Sequence, residues 1–384
     1  GCHTKATRRY QPVAQYLDAL GLEIDAVSRR LSARPRVTHL HWGGGSPNIL
    51  SAADIRGLAA HLRRAFEFDA AAEFAVEVDP RDLGDDRIAA FAEAGVNRAS
   101  VGVQDFDADV QRAINRRQSF EATAAAVRQC RDAGVDAINI DLVYGLPHQT
   151  RDSVAATIER VIELAPDRIA LFGYAHLPSR LPHQRRIDET RLPGPIERLA
   201  QASRAADRLS AAGYVRVGLD HFALAGDPLA GGPVRRNFQG YTTDTATTLI
   251  GLGASAIGRF DDGYVQNAVP TGDYRRRVGE QGLATVKGRA LTMEDRARSL
   301  AIERLMCDLK FSAPELISRF GTVAYPLVEE AKSILAQDVD GLLAARGNDG
   351  SFAVTDTGRP FLRSICARFD AYLGRDGARH SAGV

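Results

Sequence analysis

Six groups of residues have types and spacings suited to chemistry. Gly43-Gly44-Gly45-Ser46-Pro47 directly follows an apolar run. Three glycines let the backbone approach a ligand and offer N–H groups to a carboxylate or phosphate, or they form a tight strand-to-helix turn. Glu77 and Asp79 flank Val78, so on a strand they share a face. Such a pair suits ribose hydroxyls, an ammonium group, or a structural ion pair with a nearby arginine. Asp141 lies inside the apolar run 138–143, where a carboxylate needs a ligand or a loop to cap. Gln104 and Arg116 together suit a carboxylate, which arginine grips through two parallel hydrogen bonds; Arg116 alone reads as a solvated helix-end residue. Arg180, Arg185 and Arg186 lie near two prolines, and Arg235-Arg236 precedes Asn237-Phe238-Gln239-Gly240-Tyr241. Both arginine clusters suit a polyanion, or are solvated charged loops. No Ser-His-Asp order, P-loop or H-E-x-x-H occurs.

Positioning these residues requires elements, and residues 37 to about 220 repeat one pattern. Apolar or β-branched runs at 37–42, 74–78, 99–103, 137–143, 168–172 and 214–219 end in polar or glycine residues. Between them, amphipathic stretches at 52–66, 85–94, 120–133, 153–164 and 195–212 read as helices. Ser51 with Asp54 resembles a capping box, and Gly95, Gly134 and Gly213 stand where helices should stop. The alternation predicts βαβ units and a parallel sheet buried on both faces. Polar chemistry after every strand favours a barrel-like closure, which gathers strand ends around one mouth. The glycine triplet lacks the Rossmann spacing.

From about residue 291 the pattern becomes helical. Stretches at 292–307, 313–320 and 325–337, a hairpin over 342–354 and a helix over 359–373 predict a small winged-helix-like domain. Residues 374–384 read as frayed. The expected division is 1–285 and 286–384.

The 384 residues are 45% hydrophobic and 25% charged, and 49 Lys+Arg against 48 Asp+Glu leave a net charge of +1. That balance argues against nucleic acid or a membrane surface as partner. The absence of an apolar run of about 18 residues argues against a membrane span. Cys2, Cys130, Cys307 and Cys366 are too sparse for a disulfide framework, and free thiols in the cytoplasm are expected.

The runs His41-Trp42-Gly43-Gly44-Gly45-Ser46-Pro47, Glu77-Val78-Asp79-Pro80-Arg81, Gly102-Val103-Gln104-Asp105-Phe106 and Asn139-Ile140-Asp141-Leu142-Val143-Tyr144-Gly145-Leu146-Pro147 look familiar. Together with Tyr174-Ala175-His176-Leu177-Pro178, Asp220-His221-Phe222-Ala223 and Arg236-Asn237-Phe238-Gln239-Gly240-Tyr241-Thr242-Thr243, they resemble the oxygen-independent coproporphyrinogen III oxidases of the radical S-adenosylmethionine (SAM) superfamily. The resemblance covers nearly the whole chain in order. Its Asp220-His221-Phe222 and Asn237-to-Thr243 motifs look like the oxidase rather than the related haem chaperone, a carrier that is the alternative reading. A nucleic-acid-binding regulator, suggested by the winged-helix-like end, is disfavoured by the near-zero charge.

The resemblance implies an α/β fold: a partial, three-quarter TIM-like (β/α)6 barrel with a small, mainly helical C-terminal domain. It implies a 4Fe-4S cluster and two SAM molecules, from which a 5′-deoxyadenosyl radical removes a β-hydrogen of a propionate. Loss of carbon dioxide leaves a vinyl group, and two rounds convert coproporphyrinogen III into protoporphyrinogen IX. The first SAM site of the family maps to Gly44, Glu77 and Ile257. The second maps to Gly45, Ser46, Gln104, Arg116, Asp141 and Ala175, with Ser46 in place of a more familiar Thr. A monomer served by a donor such as flavodoxin or ferredoxin is also implied. The family holds its cluster through C-x3-C-x2-C, and the resemblance begins just after the third cysteine, so Cys2 matches a trailing, non-ligating cysteine. No metal ligands are expected in this chain. The sequence as given is expected to lack the first strand and cluster loop and to be inactive, the function belonging to its full-length parent.

Overall fold

The computed structural model describes residues 9–373. In chain order, α1 (Gln11–Arg30) leads to β1 (Arg36–Trp42), α2 (Ala52–Ala65), β2 (Glu67–Val78), α3 (Asp85–Glu93), β3 (Arg98–Gln104), α4 (Ala108–Ala113) and α5 (Phe120–Asp132). The alternation continues through β4 (Ala137–Tyr144), α6 (Arg151–Glu163), β5 (Arg168–Gly173), α7 (Pro195–Ala211), β6 (Tyr214–Val217) and β7 (His221–Leu224). Next come α8 (Pro228–Gly231), β8 (Arg235–Arg236), β9 (Tyr241–Thr242), β10 (Ile257–Phe260), β11 (Gly263–Asn267), α9 (Thr271–Gln281) and β12 (Thr285–Ala290). The C-terminal part holds α10 (Met293–Asp308), β13 (Lys310–Phe311), α11 (Ala313–Phe320), α12 (Tyr325–Gln337), β14 (Leu343–Ala345), β15 (Phe352–Val354) and α13 (Leu362–Ala367). No helix among the described residues is long and apolar enough to cross a membrane.

Local chemistry explains the helix limits. The Ser51 hydroxyl accepts the Asp54 N–H at 3.1 Å and starts α2. Gly95, Gly134 and Gly213 follow α3, α5 and α7 at φ of +90°, +86° and +91°, where a side chain would be strained.

The described chain forms two compact units that are not consecutive in sequence. One holds residues through Val103, with Gln118–Ile140 and Asp244–Ala290; the other holds Gln104–Arg117, Asp141–Thr243 and the residues from Leu291. In the first unit, β2 pairs in parallel with β1 and with β3. The register sets Trp42 against Val76 and Glu77 against Ser100. Trp42 packs edge-on against Phe74 and Phe91, an apolar layer beneath the strands.

Several expectations need correction. The last strand run is an antiparallel hairpin: β6 pairs with β7, and β7 runs antiparallel to β5. Gly218, at φ +54°, lets the chain reverse there, a turn hidden inside the run 214–219. Burial on both faces does not hold for β3 and β4. Ala99, Val101 and Val103 of β3 and Ile138, Ile140 and Leu142 of β4 are buried, whereas Ser100, Gly102, Gln104, Asn139 and Asp141 are only partly covered. β3 and β4 therefore have one apolar and one polar face, whereas residues 168–171 of β5 are buried on both. β2 begins at Glu67 rather than at residue 74, and α13 ends at Ala367 rather than at 373. The expected C-terminal wing has three strands, because β13 joins β15 and β14. Helix α1, helix α9 and the antiparallel sheet of β10, β11 and β12 were not foreseen. Residue Cys2 and the stretch 374–384 lie outside the described residues.

Helix α1 is held by a buried carboxylate. Glu23 accepts the Gly253 N–H at 2.7 Å, the Asn267 amide at 2.6 Å and the Tyr274 hydroxyl at 2.7 Å. Burial raises its pKa above the ordinary carboxylate value, and the three donors only partly offset this. Folding therefore favours the protonated form. That contribution is complete below the unfolded-state pKa and is lost as pH rises through the higher folded value. Glu23→Ala strands three buried donors and should cost about 3 kcal/mol, read as a lower urea midpoint. An unchanged midpoint would contradict this anchoring role.

Candidate functional site

The register of β1 and β2 carries the glycine turn past the end of β1 and beside Glu77. The Gly44 N–H donates to Glu77 Oε2 at 3.1 Å, and His41 Nε2 lies 3.2 Å from Glu77 Oε1. Gly44 has φ +80°, and a Cβ there would meet no atom within 4 Å, so the backbone is bare and open. Gly43 is the tight position: an added Cβ would stand 2.5 Å from both Glu77 Oε1 and His41 Nε2. Glu77 thus sits under open backbone, 34% of its side chain exposed.

The two carboxylates of the early motif part company. Asp79 leaves the strand, caps the turn Pro80–Asp82 and is bound by Arg81 through Nε at 2.9 Å and Nη2 at 2.5 Å. It is structural, as one alternative held. Glu77 stays on the polar face with Ser100, opposite it in register, and Asn139, whose amide donates to Ser100 at 2.7 Å. Asp141 lies two residues beyond Asn139 in the same strand, hence on the same face. Ile257 opens β10 opposite Gln266. Gly45 and Ser46 belong to the first unit, Ser46 preceding the turn Pro47–Ile49.

Gln104, Arg116, Asp141 and Ala175 belong to the second unit. Gln104 ends β3 at φ +70°, a conformation costly for a residue with a Cβ. The following residue explains how that backbone is kept. Buried Asp105 accepts from the Asp107 N–H and, at 2.8 Å, from the Thr157 hydroxyl, and it is also bound by the Gln149 amide. Its carbonyl accepts from Gln111 at 2.9 Å. Burial raises the Asp105 pKa, and these hydrogen bonds oppose the shift. Arg116 follows α4, its N–H donating to the Gln111 carbonyl at 2.8 Å. The Ala175 carbonyl accepts from Gln184, which also takes the Leu177 N–H, so one amide fixes that turn. Asp105, Gln149 and Thr157 were not singled out from sequence; Asp105 beside Gln104 was the available signal.

Asp220 and His221 form a second buried group in the same unit. Asp220 Oδ1 lies 2.8 Å from His221 Nδ1, and the His221 ring stands edge-on to Tyr241 with centroids 5.0 Å apart. The Tyr241 hydroxyl accepts the Leu219 N–H and donates to the Met306 carbonyl. Burial alone would raise the Asp220 pKa, but the His221 hydrogen bond and the charges of His221, Arg236 and Arg363 hold it below the ordinary value.

The described residues contain no group of three His, Cys, Asp or Glu able to hold a metal ion. Burial pushes the thiols of Cys130, Cys307 and Cys366 up to about 12, which makes them poor thiolate donors. They lie in α5, α10 and α13, helices as expected.

Residues 7–161 match the radical SAM superfamily. This assigns the glycine turn and the first four strands to a recognised class of enzyme. Across nearly its whole length the chain is 45% identical to oxygen-independent coproporphyrinogen III oxidase from Bradyrhizobium diazoefficiens, covering 100% of this chain and 86% of that one. It is 41% identical to the enzyme of the same name from Escherichia coli strain K12, covering 97% and 82%. A solved structure of coproporphyrinogen III oxidase from Escherichia coli, described as a radical SAM enzyme, superposes with a TM-score of 0.92 at 40% identity, over 97% of this chain and 86% of that one. The chain belongs to the oxygen-independent coproporphyrinogen III oxidases, and the expected α/β fold with a helical C-terminal part is the one found.

Gly43→Ala should force Glu77 and His41 apart and free the Gly44 N–H. The measurement is a crystal structure of the variant, in which an intact Glu77–Gly44 bond would contradict the tight packing inferred here.

Proposed function

We propose that this protein serves the oxygen-independent conversion of coproporphyrinogen III to protoporphyrinogen IX in haem biosynthesis. Each of two propionates loses a β-hydrogen atom, one electron and carbon dioxide to become a vinyl group. The carrying observation is the open Gly44 backbone above Glu77 in a chain of this family. SAM, bound with a 4Fe-4S cluster, supplies the hydrogen-abstracting group.

The residues fit SAM. Glu77 offers a carboxylate to an ammonium or to ribose hydroxyls, and glycine N–H groups offer donors to a carboxylate. We assign Gly44, Glu77 and Ile257 to one SAM and Gly45, Ser46, Gln104, Arg116, Asp141 and Ala175 to a second. Binding there requires the Gly44 N–H and the Glu77 carboxylate to exchange their mutual bond for bonds to the ligand, which avoids burying either group unpaired. The Gln104 backbone, with buried Asp105 fixed beside it, holds its left-handed conformation before ligand arrives. The described residues do not supply a ligand set for the cluster. A flavodoxin- or ferredoxin-like donor, a monomeric state and a cytoplasmic setting complete the reading.

Anaerobic incubation of the intact enzyme with coproporphyrinogen III, SAM and reductant should give protoporphyrinogen. Stoichiometric haem binding without turnover would overturn the reading in favour of a carrier. In SAM titrations, Glu77→Ala should weaken binding at least about tenfold, the loss of a charge-assisted hydrogen bond. Gln104→Gly has an unusual expected signature: weaker SAM binding together with an unchanged or higher melting temperature, since glycine relieves the backbone strain. A lower melting temperature with intact SAM affinity would contradict both roles assigned to Gln104.

A further inference from the structure

In the second unit, arginines accumulate around the turn between β6 and β7 without carboxylates to match. Arg216 lies on β6 and donates to the Leu219 carbonyl at 3.2 Å. Arg359, brought by the C-terminal part, donates to the Gly218 carbonyl at 2.8 Å and the Arg216 carbonyl at 3.2 Å. Arg236 lies over the Tyr241 ring at 5.5 Å. Arg363 reaches Asp220 Oδ2 at 3.3 Å, yet 53% of its side chain is exposed. Asp220 is already engaged by His221, so with Asp356 only two carboxylates face four guanidinium groups. Asp356 lies within electrostatic reach of Arg216 and Arg359, but among the described residues no carboxylate hydrogen-bonds to either, and the Nε atoms of Arg216 and Arg236 are buried without a hydrogen-bond partner.

Like charges held together and partly buried are costly unless an anion joins them. Their location matters too. Leu171 donates its N–H to the Asp220 carbonyl at 2.8 Å, which sets the turn beside the carboxyl end of β5, and Tyr144 at the end of β4 lies within reach of the charges of Arg216 and Arg363. Strand carboxyl ends are where ligands bind in parallel α/β folds. Burial, then the neighbouring Arg216 charge, pushes the Arg359 guanidinium down to about 10, which the nearby Asp356 only partly opposes.

We propose that Arg216, Arg236, Arg359 and Arg363 form a carboxylate-binding site for propionate side chains of the tetrapyrrole substrate, and that the C-terminal part completes it through Arg359 and Arg363. This assignment rests on the substrate class proposed above. Guanidinium forks match carboxylates through paired hydrogen bonds. The His221 ring stands edge-on to both Phe172 and Tyr241, and these rings give the cluster an apolar flank.

The test titrates coproporphyrin III, its tetramethyl ester and SAM into the intact enzyme and into Arg363→Gln and Arg359→Lys. Arg363 is half exposed, so its replacement leaves the fold intact, and lysine at 359 keeps the charge but removes the fork. Arg363→Gln should bind coproporphyrin III about tenfold more weakly, and Arg359→Lys should also lose affinity. The ester should bind weakly and equally to all three proteins, and SAM affinity should stay unchanged. Unaltered coproporphyrin affinity in both variants overturns the assignment alone. A loss of SAM affinity in place of porphyrin affinity assigns the arginines to the SAM carboxylate and also overturns it. Failure of the unaltered enzyme to bind coproporphyrin III would overturn the proposed function, and this site with it.

Discussion

The parallel pairing of β1 with β2 is the constraint from which the first unit's site follows. With Trp42 opposite Val76, the next residues on the two strands are Gly43 and Glu77, so the glycine turn and the carboxylate must meet. Trp42 is locked by Phe74 and Phe91 beneath it, and a slip of one residue would turn its indole to the polar face. Apolar packing on one side of the sheet thereby fixes polar geometry on the other. The same period-two logic sets Ser100 opposite Glu77 and Asn139 beside Ser100.

A second theme is polar groups held ready at a cost to the fold. Gln104 keeps a left-handed backbone because Asp105 is gripped by three donors, one from α6 and two from the loops that precede α4 and α6. Arginines gather around Asp220 in excess of available carboxylates. Each arrangement destabilises the ligand-free protein slightly and makes sense once a ligand is present. Glu23 is the contrast: it is buried, fully engaged by three donors and structural, and it ties α1 to the loop leading into β10.

Much of this was legible in the sequence, for identifiable reasons. The strands at 137–144 and 168–173 are apolar runs bounded by glycine or polar residues, and helices α11 and α12 have the expected bounds because Ser312, Gly321 and the prolines at their starts punctuate them. The motifs and their order along the chain pointed to the family, whose relatives cover the chain. Illegible features arose from tertiary context. The hairpin between β6 and β7 lies inside one apolar run, so only Gly218 hinted at a reversal. Burial of alternate strand faces depends on what packs against each face, which no local pattern records. Asp79 and Glu77 look equivalent on paper, but a turn gives one to Arg81 and leaves the other open. Arg216 is far in sequence from Arg359 and Arg363 and meets them only in the fold.

The most direct measurement is a co-crystal structure of the protein with S-adenosylhomocysteine. The account predicts the ligand's amino or ribose groups bonded to Glu77, with the Gly44 N–H released from that carboxylate. A ligand bound elsewhere, with Glu77 still accepting from Gly44 and His41, would contradict it.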